Sequence, residues 1–187
     1  MHAVVRTLAR LLYRLKVDGS VPAGPGILAA NHESVLDPFL LGLATRRPVR
    51  FLAKRELWRF RAVGAAVEAM GGVSVERGRG DREAMAAMAH LLEAGELVGI
   101  FPEGVVRETE TWHRGAAKLA LLTGVPLVPV LIDGSGRALS RGKLGFPRLR
   151  VVVGEPIAVE AAKPTIAASK ELTERLRLAA EGLRERD

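Results

Sequence analysis

The 187-residue sequence contains no cysteine, which excludes a disulfide framework, a thiol nucleophile and any Cys-ligated metal. Its four histidines, His2, His32, His90 and His113, show no paired-ligand spacing, and Leu36 stands where a zinc-protease helix would need its second histidine. Aromatic residues make up only 4% of the chain, too few for the base-stacking platforms of nucleic-acid binders. No helix-turn-helix, zinc-finger or RNA-sheet signature is present either, so nucleic acid is not an expected partner. No segment approaches the roughly 20 apolar residues needed to span a bilayer. Gly24-Pro25-Gly26 precedes an apolar run, whereas a dinucleotide loop must follow a strand and open a helix. A Lys-Ser/Thr phosphate loop is absent, and Gly134-Ser135-Gly136 lacks the spacing of a hydrolase nucleophile elbow.

The length and the 48% apolar content fit one domain with a sizeable core, burying roughly 70% of the surface that the unfolded chain exposes. The net charge of +7 is uneven. Residues 1–60 hold ten Lys and Arg against four Asp and Glu, so +6 of it lies in the first third. Within that third, Val4, Val5, Leu8, Leu11, Leu12 and Leu15 recur on one helical face, and Arg6, Arg10 and Arg14 repeat every four residues on another. An apolar face opposite a row of arginines suits an anionic membrane surface, and it equally suits a helix packed on its own domain with a solvated basic face. Asp18-Gly19-Ser20 follows the periodic run in place of the small-residue cleavage site of a signal peptide. The expectation is an amphipathic, membrane-associating helix over residues 1–18, the main domain over 19–187, and a peripheral position on the cytoplasmic face of the membrane.

Beyond a Gly/Pro-rich connector at 19–26, short apolar runs alternate with helical patterns. Strands are predicted at 27–30, 49–53, 73–76, 97–101, 127–132 and 149–153, mostly continuous apolar runs of the kind covered on both faces. Helices are predicted near 38–44, 56–68, 82–93, 112–122 and 169–186. Alternation of this kind predicts an α/β fold: a single domain with a mostly parallel central sheet flanked by helices, preceded by the N-terminal amphipathic helix.

The first strand-to-helix junction reads Asn31-His32-Glu33-Ser34-Val35-Leu36-Asp37-Pro38. A histidine with one ring nitrogen held by a carboxylate is an effective general base, because the carboxylate fixes the tautomer and stabilises the imidazolium that forms. His-x4-Asp alone carries little information, since a capping Asn31 and a first-turn Asp37 would also explain it. Four further segments follow in order: Gly72-Val73-Ser74-Val75-Glu76-Arg77, Phe101-Pro102-Glu103-Gly104, Arg114-Gly115-Ala116-Ala117-Lys118-Leu119-Ala120 and Val125-Pro126-Leu127-Val128-Pro129-Val130. Together with the His-x4-Asp pair, this order resembles the glycerolipid acyltransferase family, which includes 1-acylglycerol-3-phosphate acyltransferases. The resemblance runs from about Gly26 to Val130 and more weakly to Pro156.

The resemblance implies transfer of a fatty acyl group from a coenzyme A or acyl carrier protein thioester to the free hydroxyl of 1-acylglycerol-3-phosphate, with no bound cofactor and no metal. It implies His32 as general base, Asp37 as its orienting partner and Arg77 as a ligand of the acceptor phosphate, where a guanidinium fork fits. Lys54 is similar to a second basic element near that site, and a snorkelling surface lysine explains it as well. Glu103 and Gly104 keep family positions and are expected to bind the acceptor or order the loop. The family's Thr-Arg is replaced by Val105-Val106, with Arg107 one place later. Two valines cannot donate to a phosphate, so a different acceptor, glycerol-3-phosphate or another lysophospholipid, stays open. So does a non-catalytic membrane-binding module of the same fold. Val125, Pro126 and Pro129 mark the acyl-donor region; prolines remove backbone donors, which predicts one strand edge free to line a cleft. An acyl chain of about sixteen carbons costs on the order of 12 kcal/mol to expose, at ~0.8 per methylene. It must stay in protein or membrane, so the expected partners are a lysophospholipid, an anionic membrane surface and, for the donor, acyl carrier protein.

Overall fold

A computed structural model of the chain describes Thr7 and residues 10–69, 71–75, 80–104, 111–140 and 143–185. In chain order the elements are β1 (Lys16–Asp18), β2 (Gly26–Ala30), α1 (Asp37–Leu43), β3 (Val49–Lys54), a 3-10 turn (Arg55–Arg59), α2 (Arg61–Ala69), β4 (Gly72–Val75) and α3 (Gly80–Glu93). There follow β5 (Leu97–Ile100), α4 (Gly115–Thr123), β6 (Leu127–Asp133), α5 (Ser135–Ala138), the short hairpin β7 (Leu139–Ser140) and β8 (Lys143–Leu144), β9 (Arg150–Val153) and α6 (Ile166–Glu181).

Seven strands form one sheet in the order β1-β9-β6-β2-β5-β3-β4. Every pairing in it is parallel except β6 with β9. The centre is β2, whose five residues Gly26–Ala30 are all buried. Its side chains alternate between two cores. Leu28 and Ala30 meet Leu40, Leu41 and Leu43 of α1 on one face. Ile27 and Ala29 meet Leu92 of α3, Leu119 of α4 and Leu172 and Leu176 of α6 on the other. Covering both faces is what makes the strand apolar throughout instead of alternating. Burying each large aliphatic side chain contributes about 1.5–3 kcal/mol.

Two departures from the sequence pattern have local causes. The expected helix over 56–68 is divided at Phe60, with a 3-10 turn before it and α2 after it. Gly64 packs so closely on Trp58 that a Cβ there would stand 3.1 Å from the Trp58 Cα. The N-terminal periodicity also gives way before residue 16. Residues 10–13 keep helical backbone, Arg14 turns the chain with φ 48°, and Leu15 drops into the core. Lys16–Asp18 then pairs in parallel with Arg150–Val152, secured by the Arg150 Nε donating to Asp18 Oδ2 at 3.1 Å. Residues 1–6, 8 and 9 of the predicted basic helix lie outside the described residues.

Gly19 ends β1 with φ +82°, and a Cβ added there would lie 2.1 Å from the Val153 carbonyl oxygen. Gly19→Ala is therefore expected to lower unfolding free energy by about 2 kcal/mol or more. Gly24→Ala, where a Cβ meets open space, should stay within about 0.5 kcal/mol of the parent in the same urea titration.

Candidate active site

The site forms where β2 and β5 end side by side. Their register pairs Ala29 with Ile100, so the residues that follow, Asn31-His32 and Phe101-Pro102-Glu103, leave the sheet next to each other. The carboxyl end of a parallel sheet is where α/β folds gather ligand groups. On the other side β2 pairs with β6, Ala30 opposite Val130. The Asn31 side chain extends that pairing past the strand: its Nδ2 donates to the Ile132 carbonyl at 2.9 Å and its Oδ1 accepts from the Ile132 N–H at 2.8 Å. Asn31 thus substitutes for a backbone peptide and caps no helix.

Asp37 is the first residue of α1, followed by Pro38 in the first turn, where a missing N–H forgoes no helical bond. Its carboxylate folds back over the loop. Oδ2 accepts from the Glu33 N–H at 2.7 Å and the Ser34 N–H at 2.8 Å, and lies 2.9 Å from His32 Nδ1. Three donors therefore converge on one oxygen, while Oδ1 is buried with no hydrogen-bond partner. With Nδ1 committed to Asp37, the proton sits on Nδ1 and the lone pair on Nε2. The Asp37 side chain is 1% exposed and that of His32 16%, so the orienting carboxylate is sealed off and the imidazole is reachable.

Two further groups set the imidazole. Phe101 stacks on its ring at a centroid distance of 4.3 Å. Glu103 Oε2 accepts from the His32 backbone N–H at 3.0 Å. Glu103 stands in a turn in which the Gly104 N–H reaches the Phe101 carbonyl at 3.0 Å, with Pro102 at the position where proline favours turning. Gly104 has φ +75°, and a Cβ there would press to 3.1 Å on His113. Glu33, half-buried beside the dyad, has its carboxyl pushed above the usual range, first by burial and then by the nearby Asp37, Asp133 and Glu103 carboxylates, with Arg184 opposing.

The structure thus brings His32, Asp37, Glu103 and Gly104 together. Lys54 ends β3, its backbone in register with Val75; β5 lies between β3 and β2. Arg77, Val105, Val106 and Arg107 lie outside the described residues. Val125 is buried and leads into β6 with Pro126, but the expectation of a free strand edge is corrected. Between β2 and β9, β6 is paired on both sides, with the Gly154 N–H donating to the Pro129 carbonyl at 2.9 Å. Pro129 faces the last rung of the β9 ladder, so its missing N–H forgoes only the reciprocal bond there. The contacts of Asn31 with Ile132 and of Phe101 with His32 have no signal in the sequence, because each depends on the register of β2 with a distant strand. Among the described residues no group of three or more His, Asp or Glu could hold a metal ion, and no helix is long and apolar enough to cross a membrane.

The chain is similar to several curated proteins. A chloroplastic 1-acyl-sn-glycerol-3-phosphate acyltransferase of Arabidopsis thaliana is 29% identical over 157 residues, covering 78% of this chain and 44% of that protein. The 1-acyl-sn-glycerol-3-phosphate acyltransferase of Bacillus subtilis is 29% identical over 141 residues, covering 74% and 70%. A lyso-ornithine lipid O-acyltransferase of Pseudomonas aeruginosa is 34% identical over 134 residues, covering 70% and 51%. This chain therefore spans less than half of the Arabidopsis relative and about half of the Pseudomonas one. The same fold is found in the crystal structure of PlsC, the 1-acyl-sn-glycerophosphate acyltransferase from Thermotoga maritima, with TM-score 0.70 and 22% identity over 98% of this chain and 80% of that one. The Acyltransferase family model matches residues 14–133, well over half of the 187 residues and the stretch that carries the His32–Asp37 loop, and the chain belongs to that family.

Proposed function

We propose that the protein is an O-acyltransferase that passes a fatty acyl group from an acyl thioester, coenzyme A or acyl carrier protein, to the free hydroxyl of 1-acylglycerol-3-phosphate. The observation that carries this is the 2.9 Å contact between His32 Nδ1 and a buried Asp37 carboxylate, which leaves Nε2 as a directed base at the open end of the sheet. Family membership and the names of the relatives support the substrate class.

In this mechanism Nε2 takes the proton of the acceptor hydroxyl as the oxygen attacks the thioester carbonyl. Asp37 stabilises the imidazolium. Collapse of the tetrahedral intermediate forms the ester and breaks the C–S bond, and the imidazolium returns its proton to the departing thiolate. No acyl-enzyme is needed, in keeping with a chain that has no cysteine. General base catalysis of this kind is worth about 10²–10⁴-fold; alignment of the two substrates supplies much of the rest. Glu103 acts as a positioning residue: its carboxylate is engaged by the His32 N–H, and a negative charge would repel the acceptor phosphate. Arg77, Lys54 and Arg107 are the candidate phosphate ligands. Val125, Pro126 and Pro129 belong to the donor side. The enzyme works as a peripheral protein on the cytoplasmic face of the membrane, where its lipid acceptor and lipid product reside.

A second acceptor class has a specific motive. Val105-Val106 removes the Thr-Arg usual in the family, and one relative is named a lyso-ornithine lipid O-acyltransferase. An acceptor panel with purified protein and an acyl thioester separates the two. Acylation of lysophosphatidic acid is expected. Turnover confined to lyso-lipids without a phosphomonoester would overturn that assignment while keeping acyl transfer.

For the chemistry, His32→Ala is expected to lower kcat by about 10³-fold or more with the fold intact by circular dichroism. Asp37→Asn should lower kcat by about 10²–10⁴-fold, because the carboxylate that fixes the tautomer is gone. Near-parent turnover in His32→Ala would refute the base assignment.

A further inference from the structure

Exposed apolar side chains scattered singly are normal on a folded protein, but among the described residues most of the large ones share one end of the sheet. Val35 follows β2, and Phe60 follows β3 and its 3-10 turn; both leave at the carboxyl end, like His32. Because β9 runs antiparallel to β6, with Arg150 opposite Asp133, the segment leading into β9 also lies at that end. Because β1 runs parallel to β9, with Lys16 opposite Arg150, so does the segment leading into β1. Leu11, Leu12 and Phe146 are therefore at the same end as Val35 and Phe60, and all five are more than half exposed. The Tyr13 and Phe146 rings stack at 5.4 Å, joining the two leading segments into one apolar cluster.

The same end is basic at its rim. Arg10 and Arg14 precede β1, Arg148 precedes β9, Arg59 and Arg61 flank Phe60, and Arg114 opens α4; all are exposed. Among the described residues the exposed carboxylates at this end are Asp133, shared with Arg137 at 3.9 Å, Glu181, paired with Arg177, and Glu83 and Glu185, which stand next to the exposed Arg82 and Arg184, so arginines outnumber them. Apolar tips ringed by arginine match an anionic bilayer, which accepts the tips among its acyl chains and meets the guanidinium groups with phosphate.

We propose that this whole carboxyl-end face rests on an anionic bilayer, with Phe146, Leu11 and Leu12 as one foot and Phe60 as the other. Docking then does not depend on the N-terminal segment alone. The inference rests on the peripheral lipid acylation proposed above and specifies its geometry. From β9 to β3 is four strand spacings, about 19 Å, and β2 lies between them. The two feet straddle the His32 loop, so the imidazole faces the headgroup layer and an acceptor hydroxyl can reach Nε2 while its acyl chain stays in lipid.

The absence of cysteine makes the test direct, since a single introduced thiol carries a nitroxide label without competition. Leu11→Cys, Phe60→Cys, Phe146→Cys and Leu122→Cys would be labelled in the full chain and bound to phosphatidylglycerol vesicles. Leu122, exposed in the last turn of α4, is at the opposite end of the sheet and serves as the reference. Labels at 11, 60 and 146 are expected to lose accessibility to a water-soluble relaxing agent, with the label at 122 unchanged. The Phe60→Ser/Phe146→Ser pair should lower vesicle cosedimentation about tenfold. If only the label at 11 is shielded, the two-footed face is refuted and peripheral binding through the N-terminal segment stands. If no label is shielded and the protein stays in the supernatant, the docking face and the peripheral location both fall. Acylation of detergent-dispersed lysophosphatidic acid then decides separately whether the chemistry holds.

Discussion

One carboxylate oxygen, Asp37 Oδ2, organises the site. A buried charge is tolerated only when hydrogen bonds replace its lost hydration. Two of the three donors it receives are backbone N–H groups of Glu33 and Ser34, so the loop can satisfy the carboxylate only by wrapping around it. The third contact is the His32 imidazole. Folding of the loop and selection of the histidine tautomer are consequently one event. The ends of the loop are held from either side, by Asn31 on β6 and by the Glu103 carboxylate on the His32 N–H. The imidazole is pre-oriented before any substrate arrives, which is the condition under which the general base proposed for it is effective.

What the sequence made readable follows from range. The buried strands of the central sheet announce themselves as apolar runs because both faces are covered, and each was expected to within a residue or so of its place. His-x4-Asp was visible because five positions is a local spacing. β1 was not visible: Lys16-Val17-Asp18 has no apolar pattern, and it is a strand only through pairing with residues more than 130 positions later. The paired prolines of β6 were misread as a free edge for the same reason, since only the tertiary register puts Gly154 opposite Pro129. Nor does a continuous apolar run tell direction, so the antiparallel setting of β9 was hidden in a segment that reads like its parallel neighbours.

In the site, the same distinction separates the dyad from its supports. The stacking of Phe101 on His32 and the bond from His32 N–H to Glu103 require β2 and β5 to end level with each other, and nothing near residue 32 or residue 101 specifies that. Parallel pairing supplies it. Each of β2, β3 and β5 delivers its following loop to the same end, so residues 31–37 and 101–104 converge although some 70 positions apart.

The reversal at β9 also sets the end of the sheet from which the segment before β1 enters. Had β9 run parallel to β6, the loop carrying Phe146 and, through β1, the segment carrying Leu11 and Leu12 would emerge at the amino end of the sheet. Four residues of strand span about 13 Å, enough to take them off the face proposed to rest on the bilayer. One antiparallel pairing, of β6 with β9, therefore brings Arg10, Leu11, Leu12 and Arg14 to the end of the sheet where His32 is held. Strand direction, more than any side chain before β1, determines that these arginines and the His32 imidazole share one end of the sheet.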